Sequence, residues 1–162
     1  IGAGYAAWRK PDRRIASKLK EALGPCRTAL NVGAGAGSYE LADRDVVAVE
    51  PSRAMIAQRV PAMAPCVQAT AEALPFPDGS FDLAFFGLAL HHLDPVPALR
   101  EASRVARRVA VLEWPYREEE VGPPLGRRFS LEALEGLFRE ALGSPPRFLV
   151  AEGYVLALWD KG

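Results

Sequence analysis

Ala29-Leu30-Asn31-Val32-Gly33-Ala34-Gly35-Ala36-Gly37 decides the fold: a short apolar run enters three glycines at alternate positions. Val46-Val47-Ala48-Val49-Glu50 follows, a second apolar run closed by a carboxylate. A buried strand, a glycine turn and a second strand ending in an acid make the front half of a nucleotide-binding α/β unit. A ligand at the carboxyl ends of such strands needs the first loop to pass close to it. Gly33 and Gly35 lack the Cβ atoms that would block that approach, and they permit positive φ. Gly37 sits where a following helix would pack on the strand. One glycine is explained by a tight turn alone; three at alternate positions after an apolar strand point to a ligand loop. Glu50 is placed to accept both hydroxyls of a ribose, against the plainer reading of a surface acid.

Outward from this stretch the chain alternates between strand and helix patterns. Residues 1–11 (Gly2, Gly4, Tyr5, Trp8) read as an irregular arm, and residues 12–23 as a helix with Ile15, Leu19 and Leu23 on one face. The opposite face is basic, a solvated surface on the plain reading and a lid over an anionic substrate on the sharper one. The strand over 28–32 leads to a short helix from Gly37. A strand over 46–50 follows, then a helix over about 53–60 capped by Ser52, with Ile56 and Val60 on its apolar side. A brief strand over 66–69 and the turn-rich segment 74–79 lead to a strand over 81–86 that is apolar on both faces apart from Asp82. Asp94-Pro95 opens a helix to about 106, and 109–113 is a fifth strand. Residues 114–128 read as a charged, proline-rich loop. Ser130 caps a helix whose apolar face carries Leu131, Leu134, Leu137, Phe138 and Leu142. Residues 147–151 and 154–160 form a hairpin around Glu152-Gly153.

This order implies an α/β fold: a Rossmann-like, doubly wound, mostly parallel seven-stranded sheet with an antiparallel C-terminal strand and helices on both faces. The 162 residues suit a single domain, with 1–25 as N-terminal arm and candidate lid. Formal net charge is zero, with 49% hydrophobic and 25% charged residues, so nothing in the balance favours nucleic acid or a membrane surface. The apolar runs are too short to span a bilayer. Cys26 and Cys66 fit no metal spacing and read as small buried hydrophobes in a reducing, cytoplasmic setting.

Four segments carry a further resemblance: Leu30 to Gly37, Val49-Glu50-Pro51-Ser52, Ala71-Glu72-Ala73-Leu74-Pro75-Phe76-Pro77-Asp78-Gly79-Ser80-Phe81-Asp82, and Leu88-Ala89-Leu90-His91-His92-Leu93. Over about residues 28 to 113 the chain resembles the class I S-adenosylmethionine-dependent methyltransferases of type 11, the group that includes ubiquinone and menaquinone biosynthesis enzymes. The string from Leu74 to Asp82 is more specific than the glycines. Ser38, in the last place of a dinucleotide-type G-x-G-x-x-G pattern, disfavours a nicotinamide cofactor.

The resemblance implies a cofactor, S-adenosyl-L-methionine, with S-adenosyl-L-homocysteine as product. It implies that Gly33 and Gly35 lie against its methionine part, and that Glu50 binds the ribose. Pro51 and Ser52 would border the adenine, Ala71 and Glu72 its edge. Gly87 and Leu88 would line the sulfonium, and Tyr5 would close over the site from the arm. Asn31 and Thr70 stand where the family usually or often has Asp. No catalytic base stands out; His92 is a weak candidate, beside His91, and as neighbours the two point different ways. Glu113, Trp114 and Tyr116 fall near the expected mouth, with Trp114 as packing residue or pocket wall. The implied activity is methyl transfer to a small-molecule acceptor, by a monomer or small homo-oligomer. Two other readings stay open: a cofactor-binding module without catalysis, and an RNA-modifying enzyme using the basic first helix.

Overall fold

The computed structural model describes residues 13–41, 43–114, 129–151 and 153–162. The described elements are α1 (Arg13–Leu23), β1 (Thr28–Val32), β2 (Asp45–Val49), α2 (Arg53–Ile56), β3 (Cys66–Val67) and β4 (Phe81–Gly87). A 3-10 turn (Leu90–His92) precedes α3 (Pro95–Val105), β5 (Ala106–Glu113), α4 (Leu131–Leu142), β6 (Arg147–Ala151) and β7 (Tyr154–Asp160). One seven-stranded sheet runs in the order β3-β2-β1-β4-β5-β7-β6. Neighbours from β3 to β5 pair in parallel, and β7 runs antiparallel to both β5 and β6. The expected mostly parallel sheet with an antiparallel C-terminal strand is therefore present.

Alternation along the central strands supplies both faces of the core. Ala84 and Phe86 of β4, with Val109 and Val111 of β5, pack beneath α3 and α4 through Leu99, Ala102, Val105, Leu134 and Phe138. Leu83 and Phe85, with Ala110 and Leu112, face the other way onto Ile15, Leu19 and Leu23 of α1. Phe85 and Phe86 are both fully buried, each contributing about 1.5–3 kcal/mol of apolar burial.

Several expected elements are shortened. Among the described residues between Gly37 and β2 there is no helix. Gly37 takes φ +97°, and the described residues up to the start of β2 form turns and bends, closed by bonds such as Arg44 N–H to the Leu41 carbonyl. Leu41, 6% exposed, packs into the core on the side of α1. The helix expected over 53–60 spans only Arg53–Ile56. The amides of Gln58 and Arg59 turn back to the carbonyls three residues before them, and Pro61 disfavours helical geometry at Val60. Val60 is exposed, not on an apolar helix side. The third strand is two residues long. Helix α3 passes straight into β5 at Ala106, so that strand starts earlier than its pattern suggests. Leu131 opens α4 on the solvent side, because the first turn precedes the stretch that reaches the sheet. Asp94 stands at the N-cap of α3, but its side chain makes no capping bond. Cys26 and Cys66 are half-buried.

At the amino ends of β1 and β4 a small clasp fixes the register. The amides of Arg27 and Thr28 each donate to Asp82 Oδ2 at 3.0 Å, and the Asp82 amide donates to Thr28 Oγ1 at 3.0 Å. These bonds, Thr28 foremost, hold the Asp82 carboxyl below its ordinary value. The unfolded chain therefore binds more protons over that window, so stability rises with pH through it. The contribution is complete above the unfolded carboxylate value of about 3.9 and is lost as pH falls through the lower native value. Urea midpoints of Asp82→Asn and the parent should differ most near neutrality and converge at the acid end. A gap that stays constant with pH would remove the clasp from the account.

Candidate functional site

Register places the site. Val32 of β1 pairs with Val49 of β2 and with Phe86 of β4, so the next residues, Gly33, Glu50 and Gly87, leave the sheet side by side. The strand order changes direction between β1 and β4, the place where open α/β sheets bind ligands. A cavity of about 300 Å³ opens there. The first loop lines it with Gly33 to Ala36, Ser38 and Tyr39, with Asn31 beneath them. The second contributes Glu50, Pro51, Ser52 and Met55, and the third Gly87, Leu88, Ala89, His92 and Leu93.

The glycines are needed where they stand. A Cβ on Gly33, at φ +67°, would meet the Ala89 Cβ at 2.8 Å, and one on Gly35, at φ +54°, the Met55 Cε at 3.2 Å. Glu50, 8% exposed, joins two loops: Gly35 N–H donates to Oε2 and Ser52 N–H to Oε1, each at 2.9 Å. A carboxylate offers about four acceptor positions, so its second pair of lone pairs remains available to a ligand. Ser52 Oγ accepts from the Met55 amide at 3.3 Å, capping α2 as expected and setting Met55 in the wall.

The third loop is strained and pinned. Leu88 adopts φ +58°, uncommon for a branched side chain, while its amide donates to the Leu112 carbonyl at 2.9 Å. His91 is turned into the protein. Its amide donates to Glu113 Oε1 at 3.3 Å, and its Nδ1 lies 2.8 Å from Glu113 Oε2. A carboxylate only accepts, so Nδ1 carries the proton. The His92 ring, 4.0 Å from that of His91 between centroids, lines the cavity instead.

Of the residues expected at the site, Gly33, Gly35, Glu50, Pro51, Ser52, Gly87, Leu88 and His92 share this cavity. Ala71 and Glu72 are not part of its lining. Ala71 packs in the core beside Leu74, and Glu72 accepts from the Asp94 amide at 3.1 Å. Glu113 is spent on His91, and Trp114 packs against the α1 side of the core. Tyr5 and Tyr116 lie outside the described residues, as do the rest of residues 1–12 and of 115–128. Sequence reasoning gave no site role to Tyr39, Met55 or Leu93; the first two lie in no motif, and Leu93 closes a quoted motif without having been placed at the site. Counting three residues on from the Ser52 cap would have found Met55. The segment after β3 is held by Arg104, which donates to the Leu74 and Phe76 carbonyls at 2.9 and 2.8 Å, to Asp78 and to Glu101. Arg104 in turn holds the Glu101 carboxyl below its ordinary value.

The profile of the methyltransferase domain family matches residues 30–112. A malonyl-[acyl-carrier protein] O-methyltransferase of Halorhodospira halophila is 41% identical over an alignment covering 58% of this chain and 37% of the relative. The chain thus spans about two fifths of the length of the curated relatives it matches. Among solved structures, a SAM-dependent methyltransferase from Aquifex aeolicus superposes with a TM-score of 0.76 at 22% identity, over 94% of each chain. A Burkholderia thailandensis 1,6-didemethyltoxoflavin-N1-methyltransferase, with its substrate and S-adenosylhomocysteine bound, gives 0.69 at 22% identity, over 98% of this chain and 82% of that one. At these identities the two structures establish the shared fold.

Glu113→Ala would leave the two His91 donors without their acceptor inside the protein, at about 1–3 kcal/mol for each. The urea midpoint should fall accordingly, and less for Glu113→Gln, which keeps one acceptor oxygen. An unchanged midpoint for Glu113→Ala would show the pin to be idle.

Proposed function

The chain belongs to the methyltransferase domain family, whose methyl donor is S-adenosylmethionine, and we propose that it transfers a methyl group from this donor to a small-molecule acceptor. The observation that carries the reading is Glu50, level with Gly33 and Gly87, with lone pairs to spare toward the cavity. The residues present fit the donor. A buried carboxylate with acceptor capacity left suits a vicinal diol, glycine backbone leaves the adjoining wall bare, and the volume is that of a small-ligand pocket.

In this reading Glu50 holds the ribose, and Pro51, Ser52 and Met55 flank the base. Gly33 and Gly35 border the methionine part, and Gly87 and Leu88 line the wall near the sulfonium. Ala71 and Glu72 reach the adenine edge only through a shift of their segment, and Tyr5 closes over the site from the arm. Bound there, the donor supplies an electrophilic methyl group on a good leaving group. The chain's own task is alignment and exclusion of water. Apolar walls at Leu88, Leu93 and Tyr39 serve exclusion, and His92 is the side chain placed to take a proton from a nitrogen or oxygen acceptor. Asn31 supplies hydrogen bonding without negative charge beside the cationic donor. The methyltransferase of Halorhodospira halophila is named for a malonyl group on acyl-carrier protein, which supports a small acyl group as the part that is methylated. We read the whole chain as one such domain in a cytoplasmic setting, with Cys26 and Cys66 as free thiols. Among the described residues no helix is long and apolar enough to cross a membrane.

Calorimetry with S-adenosylmethionine should give micromolar affinity. Glu50→Ala should weaken it by more than about a hundredfold, the lower bound for two hydrogen bonds to a charged acceptor, and Gly33→Val should abolish it. No binding by the parent at millimolar donor would defeat the proposal. Tight binding without methyl transfer in a labelled-donor screen of acceptors would favour a binding module instead.

A further inference from the structure

Arg59 lies just past α2, in a segment whose pattern predicts helix. Its side chain is 5% exposed, and that of its partner Glu40 is 11% exposed. The guanidinium is shared among three segments. It donates to Glu40 Oε1, to the Ala64 carbonyl at 3.1 Å and to the Gly35 carbonyl at 3.5 Å. The other Glu40 oxygen accepts from the Ala64 amide at 2.9 Å. The backbone of Gly35 is thus bonded at both its polar groups: its N–H to Glu50 and its carbonyl to Arg59. The contact continues at Gly37, where a Cβ would come within 2.6 Å of Met63 Sδ and 3.4 Å of Arg59 Nη1. Neither Arg59 nor Glu40 lines the cavity.

A buried ion pair is a poor source of stability, because desolvation offsets most of the attraction; apolar replacement of both partners is often neutral. The arrangement is better explained by what it holds. We propose that Arg59, anchored by Glu40, is a positioning residue for the donor site. It fixes the backbone on the carbonyl side of Gly35, and through that residue the N–H that meets the Glu50 carboxylate, in the geometry that receives S-adenosylmethionine, and so stands in for the helix that residues 38–41 and 43–44 do not form. The inference rests on the donor-site reading above.

The test pairs calorimetry of S-adenosylhomocysteine with urea unfolding of the 162-residue chain. Removing one partner strands a buried charge and destabilises the fold, so the informative variant is Glu40→Met/Arg59→Met. Its unfolding midpoint should fall less than that of Arg59→Met alone, because no charge is stranded although the Ala64 and Gly35 backbone groups lose their partners, while its dissociation constant rises about tenfold, as expected for a lost hydrogen bond that orders the binding loop. Arg59→Lys keeps a charge for Glu40 but lacks the fork that also reaches Gly35; it should weaken binding by a similar factor, and it carries the comparison if the double variant fails to fold. A folded double variant with parental affinity would overturn the proposal, as would an Arg59→Lys variant with parental affinity. A parent chain that takes up no S-adenosylhomocysteine would overturn the donor-site reading itself and this inference with it.

Discussion

The Glu50 carboxylate is the tie on which the site depends. Burying a carboxylate costs free energy unless hydrogen bonds compensate, and Glu50 obtains them from the Gly35 and Ser52 amides. Those two amides belong to different loops, so one side chain sets the spacing between them. Ser52, held by its N–H, presents its hydroxyl to the Met55 amide, and Met55 then closes the wall opposite Gly35. None of this would converge without the parallel register that puts Val32 level with both Val49 and Phe86. The tie is local, but its precondition is the whole central sheet.

The third loop is fixed by other means. Leu88 takes a left-handed φ, a conformation worth about 1–3 kcal/mol of strain that persists only where the surroundings impose it. Here the Leu112 carbonyl holds its amide, and Glu113, the next residue of β5, grips the backbone and ring of His91. The end of β5 therefore shapes the end of β4. That leaves His91 inside and His92 on the cavity wall, separating two adjacent histidines into a structural group and an accessible one.

The extent to which the sequence could be read follows from what each signal depends on. Strands β1, β4, β6 and β7 were legible within a residue or so, because predominantly apolar runs bounded by turn residues have few other places to go. Asn31, the glycines and Glu50 were legible because they lie at strand ends, where topology decides the neighbourhood. Helix lengths after β1 and β2 were not. Periodicity over 53–60 is compatible with a helix; Pro61 was a local signal against helical geometry at Val60, whereas the pull on Arg59 from Glu40 and Ala64 is a tertiary fact. Glu113 was visible as an acid at the end of a strand, just as Glu50 was, yet it is spent on His91. Two acids in equivalent local patterns thus serve different ends, and only the partner decides which.

The same tertiary logic explains how so short a chain holds irregular loops still. Loop carbonyls lack the ladder partners that helices and sheets provide, and buried ones need donors from elsewhere. Arg59 supplies them to Gly35 and Ala64, Arg104 to Leu74 and Phe76, and Arg108 to Leu23 at the end of α1. In each case a carboxylate, Glu40, Glu101 or Asp160, orients the guanidinium. A planar fork with five donors can serve a carboxylate and two carbonyls at once; an ammonium cannot do so with fixed geometry. Most of the twenty basic residues are arginines, and at these three positions that choice has a structural reason. At Arg59 the guanidinium reaches the backbone of a loop that the described residues do not build as a helix; at Arg104 and Arg108 it holds a turn and a helix end.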